Sequence, residues 1–355
     1  MRIHSGAFAW PLGILFVAAA GEATARLDDW AFRDTPLLHS ADRQHDLLLY
    51  ERDCIRGRPN GRYGKFRLNR YGFRGPEIAR VASPGSIRIM LLGASESFGL
   101  YETDGKEIAA LLREHYAGAA DHVEVVNAAV AGMNLVSLRV YWDHWANRFH
   151  PDIVLIYPSP QLYLDDDAPR APAAYSEPPV PWFRSRFAMR LLDAVRQLEF
   201  VRSARARYAV WRDSRGRDPC WPFRTVPVDR LIQFHHDLDA LAGDIAAGGG
   251  RPVLLTHPIS APADTEPRDL RALEGLRIFF PRAGPRIIQQ FNAAADRLTR
   301  LIGVSHHWLV IDIAAGLSGR RELFADPMHL NDAGSAAAAN LLESNLEPIL
   351  NGTAH

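Results

Sequence analysis

The chain has 355 residues, of which 47% are hydrophobic and 23% are charged, the composition of an ordinary globular protein. Its 41 Lys and Arg residues equal its 41 Asp and Glu residues, so no overall charge favours nucleic acid or an anionic surface. Cys54 and Cys220 stand apart from any pattern of metal ligands. They either form one disulfide in an oxidising compartment or remain two separate thiols.

The first feature in chain order is an uncharged apolar run from Gly6 to Gly21, which follows the basic residue Arg2. Its length lies between the core of a signal peptide and the roughly 20 residues of a membrane span. We therefore expect residues 1–26 to be a signal anchor, or else a cleaved signal peptide. Either segment would carry the protein to the periplasm or the cell exterior, anchored to the membrane in the first case and secreted in the second.

Residues 27–85 are polar and rich in Arg, and Gly residues interrupt them without a sustained period. This composition predicts an N-terminal extension, either a stalk or a cap of short strands. Five short apolar runs follow, and runs of this kind fit strands that are buried on both faces of a parallel sheet. They cover residues 87–92, 123–126, 152–157, 252–256 and 308–312.

Helical patterns alternate with these runs, at residues 105–116, 135–147, 228–247, 285–302 and 331–350. Alternating strands and helices predict an α/β fold over residues 86–350. We expect three layers: a doubly wound, flavodoxin-like, five-stranded parallel sheet with helices on both faces.

Residues 165–227 interrupt the alternation and are predicted to be an insertion that covers the active-site end. The insertion begins acidic and proline-rich, then carries ten arginines between Arg184 and Arg217. Apolar residues at helical spacing in its middle predict an amphipathic helix. The arginines either contact membrane phosphates or an acidic glycan, or they form a solvated helix face.

Ser95 lies in the stretch GASESFG, directly after the first predicted strand of the sheet. Open α/β sheets place their ligand sites at this carboxyl edge. A serine in such a turn presents its hydroxyl to a substrate while its N–H points toward a developing oxyanion. Ser97 is a competing candidate, and either serine would also serve as a simple helix cap.

A partner for the serine is found in the stretch FADPMHLNDAGS, just before the last predicted helix. Asp326 and His329 are close enough there for the carboxylate to orient the imidazole, which would then act as a general base. The other candidate histidines do not follow an Asp at such a spacing, so we predict ordinary core or surface roles for them. They are His257 and the pairs His235-His236 and His306-His307.

Three stretches now resemble sequence blocks of the SGNH/GDSL hydrolase family: GASESFG the first block, NAAVAG (127–132) the second and DPMHLNDAG (326–334) the last. The stretch GFRGPE (72–77) is similar to the lead-in of exported, membrane-tethered relatives. The resemblance implies that Ser95 is the nucleophile and that the Ser95 and Gly132 amides form the oxyanion hole. We expect no cofactor and no metal.

Two positions depart from the family pattern. Ala94 replaces the Asp of the usual Gly-Asp-Ser, which is not a triad member. The third block, normally Gly-x-Asn, reads YPSPQLY at residues 157–163. That Asn normally donates to the oxyanion, and the loss of one such donor costs about a hundredfold or more in rate. We predict that Gln161 or Asn134 replaces it.

The resemblance predicts a serine esterase or O-acyltransferase that acts on an extracytoplasmic substrate, with an O-acylated glycan as the candidate and acetyl as one candidate group. The predicted partners are this substrate and, through the N-terminus, the membrane, with no nucleic acid. The alternative is a catalytically weak relative that binds an envelope polymer or an assembly partner. Metal-dependent hydrolysis through Asp326, His329 and Asp332 is a weaker possibility, because no second cluster of ligands accompanies them.

Overall fold

The computed structural model describes residues 9–33, 35–38, 44–51, 54–119, 123–165, 184–262 and 270–352. The strands of this part of the chain are β1 (Leu48–Tyr50), β2 (Ile55–Gly57), β3 (Arg62–Tyr63), β4 (Phe66–Arg67), β5 (Ile87–Gly93), β6 (Val123–Asn127), β7 (Ile153–Tyr157), β8 (Arg251–Leu255) and β9 (Leu309–Ile311). Its α-helices are α1 (Ala9–Arg33), α2 (Ser95–Phe98), α3 (Ile108–Ala119), α4 (Leu135–His144), α5 (Arg186–Gln197), α6 (Glu199–Ser214), α7 (Val228–Ala247), α8 (Arg271–Glu274), α9 (Pro285–His306), α10 (Ile313–Leu317) and α11 (Asp332–Gly352).

Five strands, joined by four parallel pairings, form one sheet in the order β6-β5-β7-β8-β9. The chain leaves β5 toward one edge of the sheet to make β6, then returns to the other side of β5 to make β7. Parallel sheets bind ligands at the carboxyl ends of the strands that flank such a reversal. Ser95 follows β5 directly, so the sheet topology places it at this position.

Helices cover both faces of the sheet, and the alternation of side chains along β5 shows the division. Met90 and Leu92 contribute to a core that also contains residues of α4, α7 and α9. Ile89 and Leu91 face the opposite core, which is built with α3, α10 and α11. Apolar side chains on both faces explain why these strands read as continuous apolar runs. The predicted three-layer α/β fold is confirmed.

The extension before the sheet forms two antiparallel two-stranded sheets, β1 with β2 and β3 with β4. Arg74 ties this cap to the sheet, since its amide donates to Asn127 O at 3.1 Å. The Arg74 guanidinium is buried and donates to the carbonyls of Phe98 and Gly99 at 2.5 and 2.6 Å. The GFRGPE stretch therefore supports the end of the helix that begins at Ser95.

α1 packs against α5 through charged contacts. Glu22 accepts hydrogen bonds from the Ser185 hydroxyl at 2.7 Å and from the Phe187 amide at 3.0 Å. Arg190 donates to both Asp28 and Asp29 at 2.6 Å. The first half of α1 is largely exposed. Within the described residues, no helix is both long enough and apolar enough to cross a membrane.

Two expectations need correction. The extension predicted from residue 27 onward, a stalk or a cap of short strands, is helical as far as Arg33, because Asp28 and Asp29 pair with Arg190 of α5. The single helix predicted in the insertion is two helices, α5 and α6, separated at Leu198. The proline-rich start of the insertion, at 166–183, lies outside the described residues. Cys54 is buried, Cys220 is exposed, and both are free thiols.

Candidate active site

Ser95 begins α2 immediately after the end of β5. Gly93 makes this turn possible, because a Cβ atom there would lie 2.6 Å from Tyr157 O and still closer to the Ser97 hydroxyl. Gly99 ends the helix in the left-handed region, at φ 82°, where other residues are strained. The local sequence thus requires glycine on both sides of the serine turn, one for close approach and one for backbone conformation.

Ser95, His329 and Asp326 form a continuous chain of contacts. The His329 Nε2 atom lies 3.0 Å from Ser95 Oγ. Its Nδ1 atom lies 2.9 Å from each carboxylate oxygen of Asp326. The three predicted residues are therefore brought together in the geometry of a nucleophile, a base and an orienting acid.

The loop that carries the base is fixed by its own backbone. Asp326 Oδ1 accepts hydrogen bonds from the amides of Met328 and His329, both at 2.9 Å. The Ala325 amide donates to the His329 carbonyl at 2.9 Å and closes the loop. The three-residue spacing that the sequence shows is thus the spacing at which one carboxylate holds both the backbone and the side chain of His329.

Burial and charge act in opposite directions on the pKa values of this pair. Burial lowers the pKa of His329, but the Asp326 carboxylate outweighs it and raises that pKa to about 9, with Glu96 and Glu102 contributing. Burial raises the pKa of Asp326, while His329 and the loop amides hold it below its usual range. In the protein without substrate, His329 is consequently an imidazolium at neutral pH. It becomes a base when it loses the Nε2 proton.

The competing candidates occupy structural positions. Ser97 is buried and donates to Ala94 O at 3.2 Å, closing the turn around Ser95. His236 is largely exposed beside Asp237, and His306 is partly exposed with its Nε2 2.7 Å from Asp239. His257 differs from these residues, since it is fully buried next to the nucleophile turn.

A buried polar cluster behind Ser95 centres on Glu96, which the sequence analysis did not single out. Glu96 Oε2 accepts from the hydroxyls of Ser159 at 2.8 Å and Ser95 at 3.2 Å. Its Oε1 atom accepts from Gln161 Nε2 at 2.7 Å and lies 3.1 Å from His257 Nε2. Burial raises the pKa of Glu96, but the His257 hydrogen bond and charge lead the opposing effects and lower it to about 2. The sequence did contain one signal, a Glu directly after Ser95 in a turn at the end of a buried strand. A buried carboxylate needs hydrogen-bond donors around it.

The predicted oxyanion donors Gly132, Asn134 and Gln161 lie in different environments. Gly132 adopts φ 87° in an exposed turn after β6, and a Cβ there would meet nothing within 4 Å. Within the described residues its N–H has no acceptor. Asn134 caps α4 by accepting from the Ser137 amide, and Gln161 is buried with its Nε2 bonded to Glu96. The roles of Gln161 and Asn134 at an oxyanion therefore stay predictions.

Asp332, the remaining member of the weaker metal hypothesis, begins α11 and accepts from the Thr103 amide at 2.7 Å. In the part of the chain that the structure describes, no group of three or more His, Cys, Asp or Glu side chains is placed to hold a metal ion.

A cavity of about 350 Å³ adjoins the triad on the side of Asp326. The insertion contributes Arg202 and Ser203 of α6 to its wall, which also includes Pro327 of the histidine loop. Arg271 and Ser260 add further polar surface. The insertion thus reaches the neighbourhood of the triad.

No family model matches the chain, and no curated protein matches it. Among solved structures, it is similar to a lipase/acylhydrolase from Enterococcus faecalis at 14% identity, over 74% of this chain and 96% of that chain, with a TM-score of 0.45. A variant of Axe2, an acetylxylan esterase from Geobacillus stearothermophilus, matches at 12% identity over 76% and 97% of the two chains, with a TM-score of 0.45. The acetyl xylan esterase AlAXEase matches at 14% identity over 73% and 100%, with a TM-score of 0.43.

Similarity at this level leaves the function of this chain to be argued from its own residues.

Proposed function

We propose that this protein is an SGNH/GDSL-type serine hydrolase that acts on acyl esters. The observation that carries the proposal is the 3.0 Å contact between Ser95 Oγ and His329 Nε2, with Asp326 held at 2.9 Å behind the imidazole. Two distant stretches of sequence meet at this contact. Each stretch contributes the residue type that nucleophilic catalysis needs.

In the proposed reaction, neutral His329 takes the proton from the Ser95 hydroxyl as Oγ bonds to the ester carbonyl carbon. The imidazolium, stabilised by Asp326, then gives that proton to the departing alcohol, which leaves an acyl group on Ser95. A water molecule attacks this acyl-enzyme with His329 again as base, and the acid product leaves. If a sugar hydroxyl replaces the water, the same steps transfer the acyl group.

The oxyanion that forms in each step would be held by the amides of Ser95 and Gly132. Both belong to turns at the carboxyl edge of the sheet, and Gly132 faces open space. Gln161 or Asn134 would supply a third donor. For Gln161 this needs the second hydrogen of its Nε2 group, because Glu96 accepts the first.

For the substrate we propose a small acyl group, such as acetyl, on an extracytoplasmic glycan. The cavity beside Asp326 includes Arg202, Ser203, Ser260 and Arg271 in its lining, and hydrogen-bonding side chains of this kind support a sugar chain as the substrate. The exposed apolar residues of the first half of α1 support attachment to a membrane, which would place the site at the envelope. Secretion after cleavage of this segment is the alternative.

Turnover of p-nitrophenyl acetate and of acetylated xylo-oligosaccharides by the full chain tests the proposed function. We expect Ser95→Ala and His329→Ala each to lower kcat by at least about a thousandfold. Ser97→Ala serves as the matched control, since it alters a hydroxyl in the same turn that does not reach His329, and we expect it to keep most of the activity.

Turnover that persists in both Ser95→Ala and His329→Ala would contradict the proposed mechanism. Complete inertness of the folded wild-type protein toward every ester would favour the alternative of a non-catalytic binding protein. The observation that favours this alternative is the attachment of Gln161 to Glu96 where the family has an oxyanion donor.

A further inference from the structure

Ser95 Oγ lies between two groups that compete for its hydrogen. His329 Nε2 is 3.0 Å away on one side, and Glu96 Oε2 is 3.2 Å away on the other. A serine hydroxyl has a single hydrogen and donates to one acceptor at a time. The protonation of His329 therefore decides which contact the hydroxyl makes.

While His329 is an imidazolium, both of its ring nitrogens donate, so its Nε2–H points at Ser95 Oγ. The hydroxyl hydrogen must then turn away from His329, and Glu96 Oε2 is the acceptor placed to receive it. The result is an unbroken chain in which Asp326 accepts from His329, the oxygen of Ser95 accepts from His329, and Glu96 accepts from Ser95. In this arrangement the base already carries a proton.

Glu96 is built to stay charged in this role. Its side chain is 2% exposed, and donors from two other segments hold both oxygens. Ser159 and Gln161, after β7, donate to Oε2 and Oε1 respectively. His257, after β8, contacts Oε1. A carboxylate with this many donors keeps its charge in a buried site.

We propose that Glu96 is a positioning residue that holds the Ser95 hydroxyl away from His329 in the resting protein and so sets the pH at which Ser95 becomes a nucleophile. The proposal rests on the proposed function. Loss of the Nε2 proton from His329 turns the hydroxyl back toward the imidazole, and Glu96 opposes this loss through its hydrogen bond and its charge.

Other charged and titratable groups surround Glu96 and His329, and the test must separate their effects on His329 from the effect of Glu96. Asp326 faces His329 from its own loop, Tyr101 packs its ring 4.9 Å from the imidazole, and Glu102 acts on it from the segment after α2. Around Glu96 stand His257 and Tyr157, with Asp296 of α9 bonded to the His257 amide. Only Glu96 among these carboxylates contacts Ser95 Oγ within the described residues.

The test is the pH dependence of labelling by a small uncharged fluorophosphonate, measured on the full chain. For wild type we expect the rate to rise about tenfold per pH unit below an apparent pKa near 9, because only neutral His329 serves as base. In Glu96→Gln we expect the apparent pKa to fall by at least about one unit. The labelling rate at neutral pH then rises severalfold, and the alkaline plateau stays within a few-fold of wild type.

Glu102→Gln is the matched control, since it removes a buried carboxylate that bears on His329 without touching Ser95. We expect a clearly smaller shift in this variant. If the apparent pKa shifts equally in the two variants, Glu96 acts on His329 only through its negative charge. That result would overturn its hydrogen-bonding role. An unmoved profile in Glu96→Gln, or a folded variant that labels at no pH, would overturn the proposal as well.

Ser159→Ala keeps the proposal testable if Glu96→Gln does not fold. This change removes only the Ser159 hydroxyl, which competes with Ser95 as a donor to Glu96 Oε2. We expect Glu96 to hold Ser95 more strongly, so the apparent pKa moves upward, opposite to Glu96→Gln. A downward shift or no shift overturns the proposal. Absence of Ser95 labelling in wild type is a different outcome, since it refutes the proposed function itself and the positioning role with it.

Discussion

At the residue scale, the three triad members were predictable because each belongs to a short motif in which spacing determines contact. Asp326 and His329 are three residues apart, and the loop closes at that spacing. Glu96 was not predicted, although it is adjacent to Ser95 in the same motif. Its role depends on Ser159, Gln161 and His257, whose approach to one carboxylate comes from the packing of three strands and is not visible in any local pattern.

Asp326→Asn tests the orienting role of the acid. The amide keeps the size of the side chain but loses the charge that stabilises the imidazolium, and it favours the wrong tautomer of His329. We expect kcat for p-nitrophenyl acetate to fall by on the order of ten thousandfold, with the thermal unfolding midpoint showing that the protein remains folded.

Asp332→Asn is the control for this change, because Asp332 stands in the same motif but bonds to the Thr103 amide. We expect it to leave kcat within a few-fold of wild type. A loss of activity in Asp332→Asn as large as that in Asp326→Asn would contradict the assignment of the acid.

At the element scale, strands and long helices were predicted well because their periodicity reflects burial. The predicted run 87–92 is β5, and the predicted helix 285–302 lies within α9. The boundaries of α1 and the break between α5 and α6 were missed. Glu22, Asp28 and Asp29 make α1 continue as a surface helix because they pair with residues more than 150 positions away, and no local pattern encodes such pairing.

The exposed first half of α1 yields a prediction on lipid binding. Large apolar side chains there are 60 to 80% exposed, at Trp10, Leu12, Ile14, Leu15, Phe16 and Val17. We expect the full chain to sediment with vesicles of phosphatidylethanolamine and phosphatidylglycerol. Replacing Leu15 and Phe16 by Asp should abolish most of this binding, since a charge costs up to about 3 kcal/mol per residue at the centre of a membrane-inserted helix.

Ile232→Asp on α7 is the control for lipid binding, because Ile232 is as exposed as Leu15, at 65%, and lies on a different element. It should bind vesicles like wild type. Equal binding by the wild type and the Leu15 and Phe16 variant would refute a membrane role for α1.

At the scale of the whole molecule, the sheet topology explains why residues 234 positions apart meet. The strand order puts β5 inside the sheet and β9 at its edge, and the loop before α11 returns across the carboxyl edge to bring His329 over Ser95. The alternation of strands and helices predicted this class of fold. The pairing order itself and the reach of α6 to the cavity beside Asp326 depend on long-range packing.

Whether Ser95 is the nucleophile is tested by active-site labelling with a fluorophosphonate at alkaline pH, where His329 is neutral, followed by mass mapping of the modified peptide. We expect one label per chain, on Ser95, which disappears in Ser95→Ala and persists in Ser97→Ala. A label that survives Ser95→Ala, or a folded wild-type protein that takes no label, would show that Ser95 is not the nucleophile.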